Sequence, residues 1–305
     1  MRSPVAGFVS VLLLSGCGGG AEIEVAAPTP APQVESGSAE LGQSRLYYEI
    51  SGDGPPVVLI HGGLLNLHMW DPQMEAFSER YRVLRYDASS HGQSITPPDA
   101  YFDHEDLDRL LTHVGIDRAV LVGLSMGGRI AIDFALEHSD RVEALVLVGS
   151  GLGGYRFDSA EVQAARPQMI EAWGAGDWDG VTEVFQRQWT DGPHRSPEEV
   201  DPDVRETVRA MIRSTLERAA DGQVTEGRTM DPPAIDRLDE LDVPTLVIVG
   251  ELDMPDIHEI ADLVLAANPN AERVEIDGVA HMVNLERPDE FNRVVLGFLG
   301  RVPGY

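Results

Sequence analysis

The sequence predicts an α/β protein: a mostly parallel sheet flanked by helices, interrupted once by a helical insertion. Three observations predict it. Short uninterrupted apolar runs recur along the chain, as strands buried on both faces of a sheet require. Amphipathic stretches of helical length separate them, which implies right-handed crossovers between parallel neighbours. The rhythm then stops between about Leu152 and Asp239, where no Val/Ile-rich run occurs.

The strand candidates, in order, are Arg45–Ser51 (half-exposed by its alternation), Val57–His61, Arg82–Asp87, Ala119–Leu124, Ala144–Gly149, Thr245–Gly250 and Arg273–Asp277. Helices are expected over Phe102–Val114, Gly127–Glu137 and Pro288–Leu299. The insertion, residues 152–239, holds several amphipathic stretches, one of them Val204–Ala219, and three tryptophans, Trp173, Trp178 and Trp189. It reads as a helical cap over the C-terminal edge of the sheet, with its tryptophans mainly core. The core itself is expected over 41–151 and 240–305.

The N-terminal forty residues read differently. Residues 1–17 have a basic Arg2, an apolar stretch from Val5 to Leu14 and the tetrapeptide Leu14-Ser15-Gly16-Cys17. The apolar part is too short to span a bilayer and matches an export signal. Its end resembles the lipobox of bacterial lipoproteins, and the chain's single cysteine falls there. The resemblance implies cleavage before Cys17, lipidation of its sulfur and anchoring of an exported protein to a bacterial membrane. No Asp follows Cys17, which by the same resemblance leans toward an outer membrane where the host has one. Residues 18–40, rich in Gly, Pro, Ala, Glu and Ser, hold too little apolar surface to fold and read as a disordered tether.

Composition narrows the partners. The 305 residues carry 51 acidic and 23 basic side chains, every basic one Arg, for a formal charge of −28. Such a surface repels phosphate backbones and argues against nucleic acid. It also disfavours anionic headgroups, so the expected membrane contact is the lipid at Cys17 alone. No HExxH motif or Cys/His cluster calls for a metal, and no cofactor is implied.

The chemistry gathers at three strand ends. Gly123-Leu124-Ser125-Met126-Gly127 fits G-x-S-x-G, directly after the run AVLVGL and directly before a helix start. A serine there sits on a strand-to-helix turn so tight that only small residues can flank it. Serine needs a base at neutral pH, and imidazole is the side chain whose ordinary pKa lies nearby. His281 combines a strand-end loop with a late position. His61 is read as a structural donor, while His113 and His138 fall on helices. Asp253, just past TLVIVG, is the carboxylate expected to orient the imidazole; Glu251 and Asp256 are its rivals.

From about Gly42 to Leu299 the chain resembles the α/β-hydrolase superfamily. The carrying segments are VVLIHGG, RVLRYDASSHGQS, VLVGLSMGG, TLVIVGELD and DGVAHMVNLERPDEF. It is most similar to the capped group of enol-lactone hydrolases, small esterases, cofactor-free haloperoxidases and C–C bond hydrolases; Met69-Trp70-Asp71-Pro72-Gln73 looks especially like the enol-lactone hydrolases. The resemblance implies an eight-stranded sheet, the order Ser, Asp, His in the chain, and an oxyanion hole from the backbone of Gly63 and Met126, with Leu64 as fallback. It implies hydrolysis of a small ester or lactone through an acyl-enzyme. C–C bond hydrolysis with the same triad is the alternative, and a non-catalytic surface binding protein a weaker one. The chain departs from the family where Asp-x-Arg-Gly is usual: Ser89-Ser90 follow Asp87-Ala88. That removes a guanidinium and a permissive backbone position, so the loop's usual contacts are not assumed.

Overall fold

The computed structural model describes residues 33–95, 99–220 and 227–305. Cys17 and the rest of the signal and most of the tether lie outside the described residues.

Eight strands form one sheet in the order β1-β2-β4-β3-β5-β6-β7-β8. These are β1 (Val34–Leu41), β2 (Ser44–Ser51), β3 (Pro56–Ile60), β4 (Arg82–Tyr86), β5 (Ala119–Leu124), β6 (Val142–Val148), β7 (Thr245–Gly250) and β8 (Ala271–Ile276). Pairings β1·β2 and β2·β4 are antiparallel and the rest parallel. The fold class read from the sequence is the one observed.

Strand periodicity divides each apolar run between two cores. In β3, Val58 and Ile60 join Leu84, Leu121 and Leu147 on one side, covered by α2 (Asp103–His113), α3 (Met126–Glu137) and α7 (Pro255–Ala267). Val57 and Leu59 join Val83, Val122 and Ile248 on the other, against α1 (Asp71–Ser78) and α9 (Pro288–Leu299). Each such fully buried aliphatic side chain stabilises by about 1.5–3 kcal/mol.

One boundary is corrected. Residues 34–40 were expected in the tether, yet Val34–Leu41 is an edge strand paired with β2 from Val34↔Ser51 to Leu41↔Ser44. Its polar, small residues hide the signal: only Ala39 and Leu41 are buried. The strand is held by backbone pairing, to which composition is blind.

Between β6 and β7 the described chain is helical: α4 (Ala160–Ala175), α5 (Trp178–Phe185), a π-helical turn (Gln186–Thr190) and α6 (Pro202–Ala220). Ser159 caps α4 by accepting from Val162 N, and Asp177 caps α5 by accepting from Gly180 N. Val181, Val208, Met211, Ile212 and Leu216 of this insertion share the core of Met69 and Trp70. The tryptophans do not form one core. Trp178 and Trp189 are half-buried, whereas Trp173 is 46% exposed, edge-on to Trp178.

Candidate active site

The parallel strands end on one edge of the sheet, and the loops leaving β3, β4, β5, β6, β7 and β8 carry the residues singled out above. Ser125 leaves β5 at φ 55°, ψ −112° and α3 begins at the next residue. This left-handed conformation is costly for a residue with a Cβ and persists only where surroundings fix it. The fixing is visible: Ser125 N donates to Val148 O at 2.9 Å, while Ser125 O accepts from Arg129 N at 3.1 Å and Gly151 N at 2.9 Å. The flanking glycines are required by contact. A Cβ on Gly123 would strike the Gly127 carbonyl, and one on Gly127 would strike the Ile60 carbonyl.

His281 lies in the loop after β8 and is 2% exposed. Its Nδ1 is 2.7 Å from Asp253 Oδ2. A carboxylate oxygen accepts, so Nδ1 carries a proton, and in the neutral ring Nε2 presents the lone pair. Nε2 is buried and has no hydrogen-bond partner among the described residues. Asp253 is 3% exposed, and its other oxygen accepts from Met254 N at 2.7 Å. The rivals are engaged elsewhere. Glu251 accepts from Gly278 N at 2.8 Å, and Asp256 accepts from Asp158 N at 2.9 Å and Ser159 N at 3.3 Å.

The end of β6 joins the serine to the histidine pair. Gly151 binds Ser125 O, and two residues earlier Gly149, at φ 47°, packs beneath the imidazole. A Cβ there would stand 2.8 Å from His281 Nδ1 and 3.1 Å from Asp253 Oδ2. Sequence reasoning missed Gly149, since a glycine ending an apolar run gives no sign of the side chain that will need its space.

Gly63 faces Met126, a Cβ on Gly63 falling 3.8 Å from Met126 Cβ. Neither backbone N–H is hydrogen-bonded among the described residues. Met126 N–H also stands at the positive end of α3. The fallback donor, Leu64 N–H, is occupied: it donates to His91 Nε2 at 3.2 Å. His61 is structural, as read. Its Nδ1 is 2.8 Å from Gly62 O and its Nε2 accepts from Ala88 N at 2.9 Å. Burial pushes its pKa down to about 3, with neighbouring His91 adding to the effect.

The Ser89-Ser90 departure has its own contacts. Ser89 Oγ donates to Asp106 Oδ2 at 2.8 Å, where Ser44 Oγ also donates at 3.1 Å, and Arg109 donates to Oδ1 at 3.2 Å. Two hydroxyls and a guanidinium from α2 itself thus serve a buried carboxylate whose pKa burial raises. Above the site, the π-helical turn places the Trp189 ring 4.7 Å from the His281 ring and edge-on to Phe157 at 6.2 Å. Such turns alter the direction of side chains inside a helix.

Comparisons with known proteins give the family and the fold. Residues 55–288 match the family model described as the alpha/beta hydrolase fold. The chain is 25% identical to 3-oxoadipate enol-lactonase 1 of Acinetobacter baylyi over 83% of its own length and 92% of that protein. It superposes on the enol-lactonase of Burkholderia xenovorans with TM-score 0.71 and 27% identity, covering 87% of this chain and 100% of that one. A thermophilic esterase from Thermogutta terrifontis gives TM-score 0.71 and 28% identity over 88% and 99% of the two chains. With its strand order, its serine turn and a family match spanning most of its length, the chain belongs to the alpha/beta hydrolase fold family, whose members named above are two enol-lactonases and an esterase.

Proposed function

We propose that the chain is a serine hydrolase of small or medium, partly apolar carboxylic esters or lactones. The observation that carries this reading is the pairing of His281 Nδ1 with Asp253 at 2.7 Å, which leaves a buried Nε2 without a hydrogen-bond partner among the described residues, on the same sheet edge as the strained Ser125 turn. Ser125 Oγ attacks the acyl carbon while His281 Nε2 takes its proton. The carbonyl oxygen, now negative, rests against the N–H groups of Gly63 and Met126. As the tetrahedral species collapses, the imidazolium protonates the departing alkoxide. Water then attacks the acyl-serine as His281 takes its proton, and the imidazolium returns that proton to Ser125 Oγ as the carboxylic acid leaves. Asp253 holds the imidazole tautomer throughout. Phe157 and Trp189 offer apolar surface beside the histidine.

The test is hydrolysis of p-nitrophenyl esters of graded acyl length by the purified chain beside Ser125→Ala. We expect the substitution to lower kcat by roughly a thousandfold or more. Unchanged hydrolysis by Ser125→Ala would overturn the assignment. A folded protein inactive on esters and lactones but active on vinylogous diketones would move the reading to C–C bond hydrolysis.

We further propose, from residues 1–17, that the protein is exported and anchored through a lipid on Cys17. Labelled palmitate incorporated by the wild type and lost in Cys17→Ser supports this; release of both forms into the soluble fraction overturns it.

A further inference from the structure

Among the described residues, non-glycine positive φ occurs at Leu64 (60°), Ser90 (70°) and Ser125 (55°). Leu64 and Ser90 lie on two different loops, each beside an end of one side chain, His91. Ser90 precedes it in the chain, and Leu64 N–H donates to its Nε2 at 3.2 Å. His91 Nδ1 lies 2.9 Å from Ser89 O, an acceptor only, so Nδ1 carries the proton and Nε2 is free to accept. The ring is held 5.0 Å from that of His61. Burial drives its pKa down, so the neutral, accepting form prevails at neutral pH.

The contacts are reciprocal. His61, on the loop after β3, accepts from Ala88 N of the loop after β4, and His91, on the loop after β4, accepts from Leu64 N of the loop after β3. Their effect falls on Gly63. The peptide that carries Gly63 N–H is also the peptide of Gly62 C=O, and that oxygen is held by His61 Nδ1 at 2.8 Å and by Leu65 N at 3.2 Å. The next peptide, Gly63 C=O to Leu64 N–H, is held by His91. A planar trans peptide points its N–H opposite its C=O, so the contacts of Gly62 O set the direction of Gly63 N–H, and the His91 contact pins the following peptide so that Gly63 cannot rotate out of that setting. Glycine by itself would rotate freely there.

We propose that His91 is a positioning residue for the oxyanion-binding loop: it holds Leu64 in the left-handed conformation that aims Gly63 N–H at the developing oxyanion. This rests on the assignment of Ser125 and of Gly63 as donor given above. It also supplies a role for the Ser89-Ser90 departure, since Ser89 O orients the ring and the strained Ser90 delivers it.

The experiment compares His91→Phe, which fills the ring's space without an acceptor, with His91→Gln, whose carbonyl oxygen can accept from Leu64 N–H. Each is assayed with a p-nitrophenyl ester and for inhibition by phenylboronic acid, which forms a tetrahedral anion on the serine. His91→Phe is expected to lose roughly 10–100-fold in kcat with KM within about threefold, because a displaced donor is felt only when the oxyanion forms. Phenylboronic acid binding should weaken by a like factor. His91→Gln should recover most of both losses. Wild-type kcat in folded His91→Phe overturns the proposal. So does a fall in kcat and thermal midpoint with phenylboronic acid binding unchanged. If His91→Phe does not fold, a folded His91→Gln with kcat and phenylboronic acid binding reduced tenfold or more overturns it as well. Ser125→Ala is run alongside: if that variant retains activity, the serine assignment and the proposal built on it fall together, whereas an inactive Ser125→Ala beside a fully active, folded His91→Phe overturns the proposal alone.

Discussion

Of the two histidines behind the proposed oxyanion loop, His61 is buried and His91 half-buried, and burial lowers the pKa of both, which makes them acid-sensitive as well as structural. His61 is 0% exposed, and its folded-state pKa of about 3 lies far below the ordinary imidazole value of 6.5. His91 shifts the same way. The sign follows from proton counting. Below pH 6.5 the unfolded chain binds protons that the folded chain refuses, so stability is full above that value and falls with pH through the window down to the folded value. Each such histidine costs about 1.4 kcal/mol per pH unit inside its window. These histidines should therefore pull the thermal midpoint, measured from pH 8 to pH 4, down as pH falls below about 6.5, against the opposite pull of buried carboxylates such as Asp133, whose pKa burial raises to about 6. His91→Gln should flatten part of that slope; an unchanged slope would show that His91 carries none of it.

At the scale of elements, the cap is fastened directly to the loop that bears His281. Arg195, in the segment between the π-helical turn and α6, donates to both oxygens of Glu286, at 2.6 and 3.0 Å, and to the backbone of Thr190, Asp191 and Gly278. Glu286, on the helical turn α8 (Val283–Glu286), also accepts from Ala280 N at 3.2 Å, next to His281. Both side chains are more than nine-tenths buried. Removing one partner leaves the other charge buried and uncompensated, so Glu286→Ala should destabilise by about 3–5 kcal/mol. The double change Arg195→Met with Glu286→Leu should cost much less, since it buries no charge. Urea midpoints of the three variants check this, and equal losses in the single and double variants would refute it. Because Glu286 also braces the His281 turn, kcat of Glu286→Ala should fall beyond what the unfolded fraction accounts for.

Across the whole molecule the dominant feature is charge. A formal −28 spread over 305 residues repels itself in the compact state more than in the expanded one. Many arginines are tied up locally: Arg205 and Arg187 on buried Asp191, Arg129 on Asp103 and Asp133, and Arg85 on Glu49. The excess carboxylates have no such partners, and salt screens them over a Debye length of about 10 Å at 0.1 M. The thermal midpoint should therefore rise by several degrees when NaCl is increased from about 0.02 to 0.5 M. A midpoint that falls with salt would mean that the arginine ion pairs outweigh the net repulsion.

The sequence by itself determined the sheet and singled out the candidate chemical groups. Apolar runs long enough for one strand each, with helices between them, leave few topologies, and β3, β5 and β7 stand where hydropathy put them. Ser125 was legible because a tight strand-to-helix turn demands its own local glycine pattern, and His281 because an imidazole in a late strand-end loop stands out against eight others. What sequence could not decide was contact between residues distant in the chain. Three carboxylates within six residues were chemically equivalent until the loop placed Asp253, and neither Glu251 nor Asp256, against Nδ1. The strand Val34–Leu41 was hidden because backbone pairing leaves no trace in polar side chains. Gly149, His91 and Arg195 were silent for the same reason: each acts on a group from another loop, and only the folded chain brings that group into contact. Local composition dictates which conformations are cheap, while the site depends on distances that arise only when the strands align.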